Sequence, residues 1–179
     1  MNSETLRNVR LFESLDKREL DALSELTFVR TFEKDNVIIW AEDKGDALFI
    51  IADGKVKVSI VSEDGREVIL SLLSKNAVFG ELSLLDGRPR SANVIAIEET
   101  QLVMLRRADF LELIQKTPSI AVALLAELAS RLRKTDRQIE GLALLDVASR
   151  ISDTLLQLAI EQGVESNSGI VVENRPTHQ

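Results

Sequence analysis

Cysteine is absent from the 179 residues, so the chain can form no disulfide and has no thiolate to seat a metal or redox centre. Histidine occurs once, as His178 in the terminal tail, where it reads as a solvated residue. Metal-dependent chemistry of the cupin type needs clustered histidines and carboxylates, so an enzyme is the weakest reading and a binding protein without a cofactor is expected. No apolar run reaches the length of a membrane span, and Met1-Asn2-Ser3-Glu4 is too polar to open a secretion signal. A cytoplasmic location is therefore expected. Positive charge is also short: 22 Lys and Arg stand against 29 Asp and Glu, a net charge of −7. Neutralising a nucleic-acid backbone needs a basic face, so any DNA-binding element is expected outside these residues.

What is present suits a soluble globular chain, with 45% apolar and 28% charged residues. Its length allows one good core with an appended helical element, or two very small domains. Asp16 and Glu19 have the spacing of a capping box, and Leu20, Leu23 and Leu26 follow at helical intervals, which predicts a helix over about residues 16–26. From Thr27 the texture turns to strands, at residues 28–32, 37–40, 47–52, 56–61, 67–73, 93–97 and 102–105. Asp53-Gly54 and Asp64-Gly65 read as two hairpin turns of one antiparallel meander. Seven or eight short strands with regular turns predict a mainly β, α+β architecture: an antiparallel double-sheet β-roll or jelly roll. The chemistry then becomes helical. A short helix over residues 107–115 stops at Thr117-Pro118, and a long one runs from Pro118 to about Leu145.

The rest of the chain is organised around residues 78–92, Val-Phe-Gly-Glu-Leu-Ser-Leu-Leu-Asp-Gly-Arg-Pro-Arg-Ser-Ala. Gly80 permits close approach of a ligand to the backbone. Glu81 and Leu82 open a short helical turn whose first amides lack an intrahelical partner, a seat for phosphate. Arg90 can grip two phosphate oxygens with its planar guanidinium, and Ser91 adds a hydroxyl donor. Glu81 is an acceptor only and suits a ribose hydroxyl. Together these residues describe a nucleotide whose phosphate is folded against its own ribose.

Phe-Gly-Glu-Leu-Ser-Leu-Leu, four residues, then Arg90-Ser91-Ala92 resembles the phosphate-binding cassette of cyclic-nucleotide-binding domains. From about Leu11 onward the chain resembles the bacterial catabolite-activator/fumarate-nitrate-regulator (Crp/Fnr) family of transcription regulators. The resemblance implies a wall of Val58, Leu70, Ser71 and Phe79 facing the ligand; core packing is the competing role for each. Family members that sense oxygen use a cysteine-ligated iron–sulfur cluster, and haem sensing needs axial ligands. Neither can be built here, which leaves a small organic effector.

Ala121, Leu125, Leu128, Leu132, Thr135, Ile139 and Leu142 recur at alternating steps of four and three along the long helix. A seam so narrow predicts a parallel homodimer; packing on the chain's own roll is the other use for it. Thr135 interrupts the seam, either to fix register or to meet a base edge, since Thr135 and Asp136 both accept from an amino group. The resemblance implies that Thr135, Asp136 and Arg131, one turn earlier, lie at the purine. Asp136 departs from the serine of the best-known activator, and a carboxylate also suits the more numerous donors of guanine. After it, Leu144-Leu145-Asp146-Val147-(x)2-Arg150 resembles the hinge into a DNA-binding domain, with Asp146 as a helix cap. Residues 162–169 read as loop and 170–172 as a strand. Thr177 looks like the cap of a helix that does not follow, so a truncated helix-turn-helix is expected. Three segments result: residues 1–117 as the cyclic-nucleotide-binding roll, 118–145 as the dimerisation helix, and 146–179 as hinge and incomplete DNA-binding domain. The leading reading is the effector-binding region of a cyclic-nucleotide-responsive regulator, with cyclic AMP expected as allosteric ligand. The alternatives are the regulatory module of a kinase or channel, and a family member that senses another anionic effector or none.

Overall fold

The computed structural model of the chain describes residues 3–144, 147–166 and 169–172. Two short helical pieces, α1 (Ser3–Arg7) and a 3-10 turn at Arg10–Phe12, lead to α2 (Lys17–Leu26). Asp16 starts α2 by a complete capping box. Its carboxylate accepts from the Glu19 amide at 2.8 Å, and the Glu19 carboxylate accepts from the Asp16 amide at 2.8 Å. Leu20 and Leu23 turn inward from α2 and are buried, as are Leu6, Val9 and Phe12 ahead of it.

Eight strands follow: β1 (Thr27–Phe32), β2 (Val37–Ile39), β3 (Ala47–Asp53), β4 (Lys55–Val61), β5 (Glu67–Ser74), β6 (Val78–Phe79), β7 (Asn93–Ala96) and β8 (Thr100–Arg106). They make two four-stranded sheets, ordered β1-β8-β3-β6 and β2-β7-β4-β5, with antiparallel pairing throughout. The core lies between them. Phe32, Phe49, Ile51, Phe79 and Leu102 come from the first sheet, and Ile39, Val56, Val94 and Ala96 from the second. Strand β3 is buried at every position from Ala47 to Ala52, so both its faces are covered. This is why that stretch reads as a continuous apolar run without alternation.

The two Asp-Gly turns divide. Asp64-Gly65 does close a hairpin, between β4 and β5. Asp53-Gly54 does not: β3 and β4 lie in different sheets, which corrects the expected meander. Gly54 (φ 90°) turns the corner between sheets, where an added Cβ would fall 2.5 Å from the Glu99 carbonyl. The buried Thr100 hydroxyl holds that corner, 3.0 Å from the Lys55 carbonyl and 2.9 Å from that of Glu98. An Asp-Gly pair supplies a positive φ, but the burial of the flanking strands decides which sheet each one joins.

The helices are α3 (Glu81–Asp86), α4 (Arg107–Lys116), α5 (Pro118–Leu144) and α6 (Val147–Gln162). Residues 163–166, read above as loop, form β9 (Gly163–Ser166), which pairs antiparallel with β10 (Gly169–Val172). The chain divides into two compact units, Met1–Leu125 and Ala126–Gln179, with the division inside α5. Ile120 and Leu124, in the early turns of α5, are buried in the first unit. Asp146, Thr177 and His178 lie outside the described residues.

Replacing Asp16 by alanine removes the acceptor for the Glu19 amide. Urea denaturation of Asp16→Ala is expected to show a loss of about 1 kcal/mol with an unchanged dependence on denaturant.

Candidate functional site

Two glycines bracket α3. Gly80 precedes it with φ 82° and ψ 7°, and Gly87 ends it with φ 72° and ψ 7°, both in the left-handed region that favours glycine. Between them Glu81, Ser83 and Leu84 are buried, while Leu82 and Leu85 are exposed. With only six residues, α3 offers its first amides as local donors, and the full positive charge at its start is that of Arg90.

Arg90 is turned inward and only 5% exposed. Its Nη1 donates to the Gly80 carbonyl at 2.6 Å and its Nη2 to the Ala47 carbonyl at 2.8 Å. The centre of the guanidinium lies 5.6 Å from the Phe49 ring centroid. Burial lowers the Arg90 pKa from its ordinary value, while the charges of Asp46 and Glu81 push the other way. A guanidinium remains protonated under such a shift. The backbone of Arg90 is clamped as well, its amide donating to the Asp43 carbonyl at 2.9 Å and its carbonyl accepting from the Glu42 amide at 2.9 Å. Asn93, also buried, keeps the same loop in place by accepting from the Ala41 amide at 2.8 Å. At the far end of α3, Arg107 Nε donates to the Leu84 carbonyl at 3.0 Å. The result is a buried cation beside a buried carboxylate, Glu81, each on a short segment held at both ends.

The structure brings Gly80, Glu81 and Arg90 together, with Phe79 directly before them and Ala92 buried just after. Phe79 stacks on Phe49 with ring centroids 5.1 Å apart and 6° between planes, and both belong to the core. Val58 packs against that core from β4, opposite Ser71 of β5. Leu70 is the extra residue of a β-bulge, because Val58 pairs with Ser71 and Ser59 with Ile69. It is 43% exposed. Ser91 is exposed. Arg131, Thr135 and Asp136 belong to the second unit. There Thr135 Oγ1 donates to the Arg131 carbonyl at 3.1 Å, Arg131 Nε lies 3.1 Å from a Glu127 carboxylate oxygen, and Asp136 is exposed. Reading the sequence missed Ala47 and Phe49 as partners of Arg90. The first acts through a backbone carbonyl, which leaves no trace in residue type, and the second reads as core.

Residues 29–117 match the family of the cyclic nucleotide-binding domain. The cyclic AMP receptor protein of Thermus thermophilus is 37% identical over 154 residues, which are 86% of this chain and 71% of that protein. A CRP-like cAMP-activated global transcriptional regulator of Mycobacterium tuberculosis is 31% identical over 176 residues, 98% of this chain and 79% of that one. Among solved structures, the catabolite activator protein of Thermus thermophilus superposes with a TM-score of 0.68 at 37% identity, covering 87% of this chain and 72% of that one.

Gly80 and Gly87 share a backbone conformation but not their surroundings. A Cβ on Gly80 would fall 2.5 Å from Arg90 Nη1, whereas one on Gly87 would meet nothing within 4 Å. Gly87→Ala is expected to lose roughly 1 kcal/mol of stability from backbone strain alone. Gly80→Ala is expected to lose measurably more in the same urea titration, the excess reporting the displaced arginine.

Proposed function

Because the chain belongs to the Crp/Fnr family of transcription regulators, we propose that its ligand is cyclic AMP, bound by the segment from Gly80 to Ala92. The observation that supports this most is the inward, charged Arg90 beside the buried Glu81. A desolvated guanidinium attracts an anion more strongly than an exposed one, because little water screens it. In the described structure its hydrogen bonds go to two backbone carbonyls, and a guanidinium carries five N–H groups. The remaining donors, with Ser91 and the first amides of α3, suit the oxygens of a cyclic phosphate. Glu81 suits a ribose hydroxyl.

Thr135 and Asp136 are the residues proposed to read the base. Thr135 commits its hydroxyl proton to the Arg131 carbonyl, so its oxygen is left as an acceptor, which matches the amino group of adenine. Asp136 is an acceptor as well, and it supports cyclic GMP as a second reading, because guanine presents more donors. Val58, Leu70 and Ser71 would line the ligand from the β4–β5 ladder, the bulge at Leu70 re-aiming that side chain.

The seam of α5 supports a second copy as partner. Leu125, Leu132 and Ile139 are 64%, 62% and 58% exposed, at spacings of seven residues. A stripe of that period on one helix fits an equivalent helix. Residues 1–117 would then be the sensor, 118–145 the dimerisation helix and 146–179 the approach to a DNA-binding domain, with the protein acting in the cytoplasm as a regulator and not as an enzyme. Among the described residues no helix is long and apolar enough to cross a membrane.

Calorimetric titration of the purified chain with cyclic AMP and with cyclic GMP tests the ligand. Arg90→Ala is expected to weaken cyclic AMP binding by roughly 1.5–3 kcal/mol, and unchanged affinity would remove Arg90 from the site. For the seam, Leu132→Lys is expected to sediment as a monomer where the parent chain sediments as a dimer. A variant that stays dimeric shows that α5 does not hold the subunits together.

A further inference from the structure

We propose that Gly45 and Ser83 are a sterically matched pair that sets the position of Arg90, which makes Gly45 a positioning residue for the phosphate contact. The inference rests on the cyclic-nucleotide reading of the cassette and deepens it. Gly45 lies in the loop between β2 and β3, is buried, and has a φ outside the left-handed region. Its φ is therefore one that alanine also adopts, and the demand for glycine is a demand for space.

That space is already filled from two sides. A Cβ on Gly45 would lie 2.6 Å from the Cβ of Ser83, closer still to its hydroxyl, and 3.1 Å from Arg90 Nε. Ser83 is itself buried in the first turns of α3, and its Oγ reaches the Gly80 carbonyl at 3.4 Å. The same carbonyl accepts from Arg90 Nη1, and Ala47, two residues beyond Gly45, accepts from Nη2. Gly45 thus walls the Nε edge of a guanidinium whose other two nitrogens are fixed by carbonyls.

A methyl group at position 45 leaves two ways out. The Ser83 Cβ is bonded to the α3 backbone and cannot rotate away, so relief on that side shifts the helix. Relief on the other side pushes the guanidinium off its carbonyls. Either movement changes the gap between the first turn of α3 and Arg90, which is the gap assigned to the phosphate. The geometry also says which second change restores it. Ser83→Gly removes the obstructing Cβ, whereas Ser83→Ala keeps it.

The test is calorimetric titration with cyclic AMP of the parent chain, Gly45→Ala, Ser83→Gly, Ser83→Ala, both Gly45→Ala doubles at position 83, and Gly45→Ala combined with Arg90→Ala. Gly45→Ala is expected to weaken binding by about tenfold or more, the loss of one charged hydrogen bond. Adding Ser83→Gly is expected to bring affinity back to that of Ser83→Gly alone, while adding Ser83→Ala does not. In the Arg90→Ala background, Gly45→Ala is expected to cost clearly less affinity than in the parent chain, an outcome a merely structural role would not produce. Parent-like binding by Gly45→Ala, equal rescue by both changes at Ser83, or a full loss persisting without Arg90 overturns the proposal. Should Gly45→Ala alone fail to fold, a folded, binding Gly45→Ala/Ser83→Gly chain carries the proposal and an unfolded one overturns it. A parent chain that binds neither cyclic AMP nor cyclic GMP removes the ligand reading and this proposal with it; the other failures remove the proposal alone.

Discussion

A guanidinium taken out of water must be given its hydrogen bonds back, and that constraint organises the first unit. Arg90 obtains them from the carbonyls of Gly80 and Ala47, with the carboxylates of Asp46 and Glu81 close enough to favour its charge. An isolated buried cation would cost several kcal/mol, so these contacts are conditions for the fold as well as for the site. Each partner belongs to a different piece of chain. Gly80 closes β6, Ala47 opens β3, and the loop at residues 42–43 clamps the Arg90 backbone. One residue, through its side chain and its backbone, therefore fixes where three segments meet.

The sheets serve that meeting point. Strand β3 is covered on both faces, so Ala47 and Phe49 stand on a strand packed from both sides. Phe49 does two jobs, stacking on Phe79 in the core and placing a ring face near the guanidinium. The core and the candidate site thus share a residue. Deleting that ring would remove packing and a cation–π contact at once, and neither contribution could be read separately from a single substitution.

The parts legible in the sequence are those whose cause is local. Asp16 with Glu19 declares a helix start because the two side chains and amides satisfy one another within four residues. Thr117-Pro118 declares a boundary because proline restricts the residue before it. The cassette was readable because its glycines, acid and arginine lie within one stretch. What was not readable depends on distant partners. Asp53-Gly54 looks like Asp64-Gly65, yet only burial of β3 on both faces sends its strands into different sheets. Ala47 holds Arg90 through a carbonyl, which every residue possesses. Gly163 opens β9 itself, and nothing in residues 163–166 alternates strongly enough to announce a strand.

The way Arg90 is satisfied also bears on how binding would be felt elsewhere. An exposed arginine would meet a phosphate without disturbing anything, since water is easily exchanged. Arg90 instead already holds two carbonyls, so a phosphate that takes its remaining donors competes with those carbonyls for the pull of one guanidinium. Any exchange alters what Gly80 and Ala47 are bonded to, and buried carbonyls do not stay unpaired without cost. The ends of α3 are not independent either, because Arg107 at the start of α4 holds the Leu84 carbonyl, and its amide donates to the Asp46 carbonyl at 2.8 Å. A shift at Gly80 is thereby opposed at Leu84 by the residue that begins α4, and α4 runs to the Thr117-Pro118 joint before α5. Coupling of roughly 1–3 kcal/mol is typical of allosteric proteins, about the worth of one or two hydrogen bonds to a charged group. A cation already held by two carbonyls before any ligand arrives has contacts to redistribute, which a site built from solvated side chains would lack.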